Sequence, residues 1–148
     1  MSHATKIAIV VSTFNAHITD KLLEGALIEL HEKGQRDEDI KVIHVPGAVE
    51  IPLVAQKLAS TNQYAAIIAL GAVIRGETGH YDYVCEQASQ GCQHVMLEYM
   101  IPVIFGVLTT ENDEQAQDRI GGKRGHKGKE AAEAALQMIQ IMQNIDSE

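Results

Sequence analysis

Three kinds of chemistry-bearing residue stand close together in the stretch Gly71-Ala-Val-Ile-Arg-Gly-Glu-Thr-Gly-His80. Gly71, Gly76 and Gly79 let a ligand approach the main chain closely, because glycine has no Cβ. Thr78 carries a hydroxyl. His80 carries an imidazole, which can pass protons. The stretch lies between an apolar run, residues 65–70, and a helical pattern that starts near Tyr81. It therefore reads as a strand-to-helix crossover loop, and the free amides at the start of the next helix suit an anion. A tight turn with a helix-capping His is the plain structural alternative. Two other loops carry related groups: Phe14-Asn15, with an aromatic face and an amide, and Gly47-Ala48-Val49-Glu50, with a carboxylate. A planar heterocycle can stack on Phe14, although an aromatic residue is more often core, and Glu50 also suits a helix N-terminus.

A second cluster is basic. Arg119, Lys123, Arg124, Lys127 and Lys129 interleave with Gly121, Gly122, Gly125 and Gly128. The order does not match the phosphate-binding loop GxxxxGK[ST]. It reads either as a solvated helix junction or as a phosphate clamp, in which Arg supplies a bidentate fork and Lys a point charge. His80, Asp82 and Glu86 lack the spacing of a paired-histidine metal site, so no metal is expected.

The elements that must position these groups follow from hydrophobic periodicity. Residues 6–12, 40–45, 65–70 and 103–108 are short, β-branched runs of the kind found in buried parallel strands. Between them, Ile18, Leu22, Ala26 and Leu30 mark a helix ending at Gly34. A helix over about 51–59 is expected to turn Leu53, Val54 and Leu58 to the sheet, with Pro52 in its first turn. A third, over about 81–100, shows Val84, Ala88, Cys92, Val95 and Tyr99 on one face. Two more are expected over about 112–119 and 129–144, the latter with a stripe of Ala131, Ala135, Met138, Met142 and Ile145. Strand–helix alternation predicts a four-stranded parallel sheet with helices on both faces, a flavodoxin-like three-layer α/β/α sandwich. In such a sheet the three loops share the edge at the strands' carboxyl ends.

Composition agrees with a folded chain. At 148 residues, 45% hydrophobic and 22% charged, one domain spanning 1–148 is expected. Only 4% of residues are aromatic, so the core must be aliphatic. The net charge of −8 argues against general nucleic-acid binding. Cys85 and Cys92 are about two turns apart on the expected helix, or ~10 Å, too far for a disulfide. Free thiols, an N-terminal stretch Met-Ser-His-Ala-Thr-Lys without an apolar signal region, and the absence of a run of membrane-spanning length point to a cytoplasmic protein without a membrane partner.

Five blocks carry a resemblance. Phe14-Asn15, Val45-Pro-Gly-Ala-Val-Glu-Ile-Pro52, Gly71-Ala-Val-Ile-Arg-Gly-Glu-Thr-Gly-His-Tyr-Asp-Tyr83, Pro102-Val-Ile-Phe-Gly-Val-Leu-Thr-Thr-Glu111 and the Gly/Lys junction near residue 125 are similar, in order and spacing, to those of lumazine synthases (6,7-dimethyl-8-ribityllumazine synthases). The likeness runs from about residue 6 to 143. It departs at Gly122, Arg124 and His126, where the family commonly has Thr, Ala and Asn, and at Thr13, often a larger residue.

The resemblance implies a transferase of riboflavin biosynthesis that needs no cofactor. It condenses 5-amino-6-(D-ribitylamino)uracil with 3,4-dihydroxy-2-butanone 4-phosphate and releases phosphate and water. It implies His80 as the proton-transfer residue and Phe14 stacked on the uracil. Asn15, Ala48 and Glu50 are then the ribityl-binding residues, Val73 and Ile74 line the pyrimidine pocket, and Gly47, Val49 and Ala72 are further substrate-binding residues. The Glu77-Thr78 backbone, Arg119 and Lys127 are implied at the phosphate, and Phe105 at the substrate. It further implies a homo-oligomer of pentamers, a 60-subunit shell, a site shared between subunits, and riboflavin synthase as a candidate partner. Two other classes compete: a flavin- or lumazine-binding shell protein without catalysis, and a nucleic-acid-binding module resting on the 119–129 cluster alone.

Overall fold

The computed structural model describes residues 5–148; most of the N-terminal stretch read above for a signal region therefore lies outside the described residues. Four parallel strands, β1 (Ile7–Ser12), β2 (Ile40–Val45), β3 (Ala66–Ile74) and β4 (Val103–Thr110), form one sheet in the order β2-β1-β3-β4. Five helices accompany them: α1 (Ala16–Glu32), α2 (Ile51–Ala59), α3 (His80–Tyr99), α4 (Asp113–Gln117) and α5 (Lys127–Asp146). The arrangement is the expected three-layer α/β/α sandwich of flavodoxin type.

Side-chain alternation along β1 divides the core. Ile7, Ile9 and Val11 face α1 and α5, where Ile18, Leu22, Ala26, Leu30, Ala131, Ala132 and Ala135 close over them. Ala8 and Val10 face α2 and α3, against Ile51, Ala55, Leu58, Ala88, Cys92 and Val95. β1 is central and fully buried, as a strand covered on both faces must be.

Several expectations change. β3 runs four residues past Leu70 and β4 two past Leu108, because the register continues from Gly71↔Val107 to Ile74↔Thr110 and gives those backbone groups partners. Gly71 to Ile74 are thus strand, and the crossover loop shrinks to residues 75–79. Leu53 does not face the sheet: it is 74% exposed, since the inward stripe of α2 is Ile51, Ala55, Leu58 and Ala59. On α5 the buried positions are Ala131, Ala132, Ala135 and Ile139, and Ile145 is exposed. The 121–128 interruption contains a small antiparallel hairpin, β5 (Ile120–Gly122) with β6 (Gly125–His126). Gly121 and Gly125 take positive φ there, which glycine allows without strain.

α1 and α5 approach very closely at the start of α5. A Cβ on Gly128 would land on the Leu22 carbonyl oxygen, and one on Gly25 would meet the His126 ring. His126 Nδ1 accepts from Lys129 N at 3.3 Å and so caps α5. Cys85 and Cys92 are free thiols, as expected.

Candidate active site

The carboxyl ends of β1, β2 and β3 meet in a cavity of about 720 Å³. Its walls come from the loop after β1, the turn between β2 and α2, the end of β3 and the first turns of α3. Each wall has a local reason for its shape. Thr13 N donates to Val45 O at 2.8 Å and Phe14 N to Pro46 O at 3.0 Å, so the first loop is pinned along the second. Asn15 adopts a left-handed conformation, φ 62°, which Asn tolerates better than most residues. Its Nδ2 donates to Ala72 O at 2.9 Å and ties the loop to β3. Held this way, the Phe14 ring is left 70% exposed beside the cavity.

The turn before α2 is closed by Glu50, whose Oε1 accepts from Gly47 N at 2.9 Å. The carboxylate thus stabilises its own turn, the plain alternative noted for it, while remaining at the cavity wall. Below it, Ala72, Val73 and Ile74 form the floor. His80 opens α3, and its backbone N–H donates to Thr78 Oγ1 at 3.3 Å. An aromatic face, main-chain edges and an exposed imidazole therefore share one open cleft, able to hold a flat polar heterocycle and move its protons.

The cavity gathers Phe14, Asn15, Gly47, Ala48, Val49, Glu50, Ala72, Val73, Ile74, Thr78 and His80 of the expected residues. Four others are elsewhere. Glu77 is exposed but does not line the cavity. Phe105 is half-buried against the α2/α3 side of the core. Arg119 and Lys127 face a separate cavity of about 260 Å³, with Thr109, Arg124 and Glu130. There Arg119 Nη1 donates to Gln115 O at 2.8 Å.

The structure adds Gly76, Tyr81, Tyr83, Val84 and Gln87 to the cavity lining. The signal for three of them was helical periodicity: Tyr83, Val84 and Gln87 lie three, four and seven residues after His80, on one face of α3. Around the loop, the Glu111 carboxylate raises the Arg75 guanidinium above its ordinary pKa. Burial raises the Tyr81 phenol and the Cys85 thiol. Among the described residues no group of three or more His, Cys, Asp or Glu could hold a metal ion, and no helix is long and apolar enough to cross a membrane.

Comparison with known proteins covers this whole framework. The family model of 6,7-dimethyl-8-ribityllumazine synthase matches residues 4–143. The chain belongs to that family. Among its relatives are 6,7-dimethyl-8-ribityllumazine synthases of three Coxiella burnetii strains, CbuG_Q212, RSA 493 / Nine Mile phase I and Dugway 5J108-111. Each is 57% identical over 141 residues, which is 95% of this chain and 93% of the relative.

Proposed function

We propose that this chain is a transferase of riboflavin biosynthesis that forms 6,7-dimethyl-8-ribityllumazine from 5-amino-6-(D-ribitylamino)uracil and 3,4-dihydroxy-2-butanone 4-phosphate. The observation that carries the reading is the exposed Phe14 ring beside a cavity with His80 at its wall, in a chain of this family. The uracil stacks on Phe14 and meets the main chain of Val73 and Ile74. Asn15, Gly47, Ala48, Val49 and Glu50 hold the ribityl chain.

In the reaction a substrate amine attacks the ketone and water leaves to form an imine. Phosphate is then eliminated, the resulting enol becomes a ketone, and the second amine adds to that ketone and expels a second water to close the ring. The protons that these steps displace pass through His80. Backbone amides at Glu77 and Thr78, with Arg119 and Lys127, receive the phosphate charge. Much of the acceleration comes from aligning two substrates, so loss of one side chain leaves residual activity.

The separation of Arg119, Lys127 and Phe105 from the main cavity supports a site completed by a neighbouring copy. We assign the chain accordingly to a homo-oligomer of pentamers closing into a 60-subunit shell, with riboflavin synthase as a candidate partner in a cytoplasmic setting. The reading stands on one assay: purified protein mixed with both substrates, followed by the lumazine chromophore. Product is expected. Binding of a lumazine or flavin without product would replace it with the non-catalytic reading.

A further inference from the structure

Residues 76–79, which lead into His80, are exposed and belong to no helix or strand. Packing does not hold them: nothing lies within 4 Å of where a Cβ would stand on Gly76 or Gly79. Their local bonds are short-range, Thr78 Oγ1 accepting from His80 N and Gly79 O accepting from Asp82 N at 3.1 Å. The firm attachment is at the base of the loop. Arg75 N donates to Thr110 O at 2.9 Å, the last link of the sheet. Its guanidinium Nε donates to Glu111, just past the end of β4. Its Nη2 donates to Asp82 Oδ1 at 3.3 Å, in the first turn of α3. The Arg75 Cζ lies 4.3 Å from the centroid of the Tyr81 ring, within cation–π range. One side chain therefore joins the two ends of the loop to the strand beside them.

We propose that Arg75 is a positioning residue, holding His80 and the amides of residues 76–79 in working geometry through its bridge from Glu111 to Asp82 and Tyr81. The proposal rests on the reading that His80 moves protons and that this loop receives phosphate. A direct anion-binding role for Arg75 fits less well. Its positive charge already faces two carboxylates, Glu111 and Asp82, so the cluster is net negative and repels a phosphate. Lysine cannot replace it. An ammonium is a point charge that cannot span two carboxylates and lie flat on a ring together. Each exposed ion pair alone contributes little to stability; the effect here is on where the loop sits, not on whether the chain folds.

The test uses Arg75→Lys, Arg75→Ala and Glu111→Gln in the assembled protein. Lumazine formation is measured against the concentration of each substrate and across pH. Amide hydrogen exchange is measured over residues 76–82. Displacing a catalytic group by about 1 Å costs up to ~100-fold. Arg75→Lys and Arg75→Ala are expected to lower kcat by ~10- to 100-fold, with the KM for the uracil substrate within about two-fold. Exchange in 76–82 should rise by ~10-fold, and the acid limb of the pH profile should move. Glu111→Gln, which keeps Arg75 but removes its post, should show the same split more weakly. Full kcat in Arg75→Lys, unchanged exchange, or a raised KM for the phosphorylated substrate with kcat intact would each overturn the proposal. If Arg75→Ala does not assemble, Arg75→Lys and Glu111→Gln still decide. A wild-type protein that makes no lumazine would sink the functional reading, whereas the exchange measurement still reports on the clamp.

Discussion

His80 is the first residue of α3, exposed and at the wall of the cleft. A residue so placed contributes little to the fold, so its replacement isolates chemistry. His80→Ala is expected to slow turnover by roughly 10²-fold, the low end for a lost general acid–base group, with KM nearly unchanged. A raised KM at full kcat would count against proton transfer. Cys92 is the opposite case. It is 2% exposed, and burial pushes its thiol up to about 11. The folded state keeps it protonated at pH values where the unfolded chain would ionise it. Stability from this group is therefore full below about pH 9 and is lost as pH rises from about 9 to 11, at ~1.4 kcal/mol per pH unit. Denaturant titrations at pH 8 and 10 check the slope, which should flatten in Cys92→Ala. At this scale Phe14, Asn15, Glu50 and His80 were legible because loops after successive parallel strands must share an edge. Tyr81 was not, since an aromatic on a helix reads equally well as core. Nor was the particular bond from Gly47 N to Glu50, which depends on the turn it closes.

Among elements, the tightest fit is where α5 begins against α1. Gly128→Ala would drive a methyl group into the Leu22 carbonyl, and backbone cannot yield as a side-chain tip can. We expect a loss of about 3 kcal/mol, read as a fall in melting temperature of about 10 °C. A shift under about 2 °C would mean that α5 can slide. Helix α1 and the first parts of the two inner strands, β1 and β3, were readable because their apolar spacing is strict. The ends of β3 and β4 were not: residues 71–74 pair with 107–110 across the sheet, a long-range fact that local composition does not encode. The β5–β6 hairpin was hidden for a similar reason. Its two strands have three and two residues, four of the five being Gly or His, and neither type favours strands.

At the scale of the molecule, the cleft holds His80 but neither Arg119 nor Lys127. Large apolar side chains also stand in solvent, among them Leu53, Leu97 and Met100 at 74%, 67% and 77% exposure. Both features favour copies packed side by side. His80→Ala and Arg119→Ala proteins should each be nearly inactive. Unfolded together, mixed and reassembled, they should regain part of the activity, because some interfaces then pair an intact His80 with an intact Arg119. No recovery, with mixed rings verified by mass spectrometry, would place the whole site within one chain.

The packing of α5 on α1 also sets a timetable. Ile18, Leu22 and Ala26 are made roughly a hundred residues before Ala131, Ala132 and Ala135, which cover them. At ~5–20 residues per second, the ribosome leaves that apolar face bare for about 5 to 20 s. The face is a natural target for a chaperone during that interval. Nascent chains stalled with α5 still inside the exit tunnel should remain protease-sensitive in β1 and α1. Chains stalled with α5 fully emerged should become resistant. Resistance before Lys127 emerges would show that the first half closes on its own. Otherwise β1 and α1 cannot close on their own, and α5 is the step that commits them.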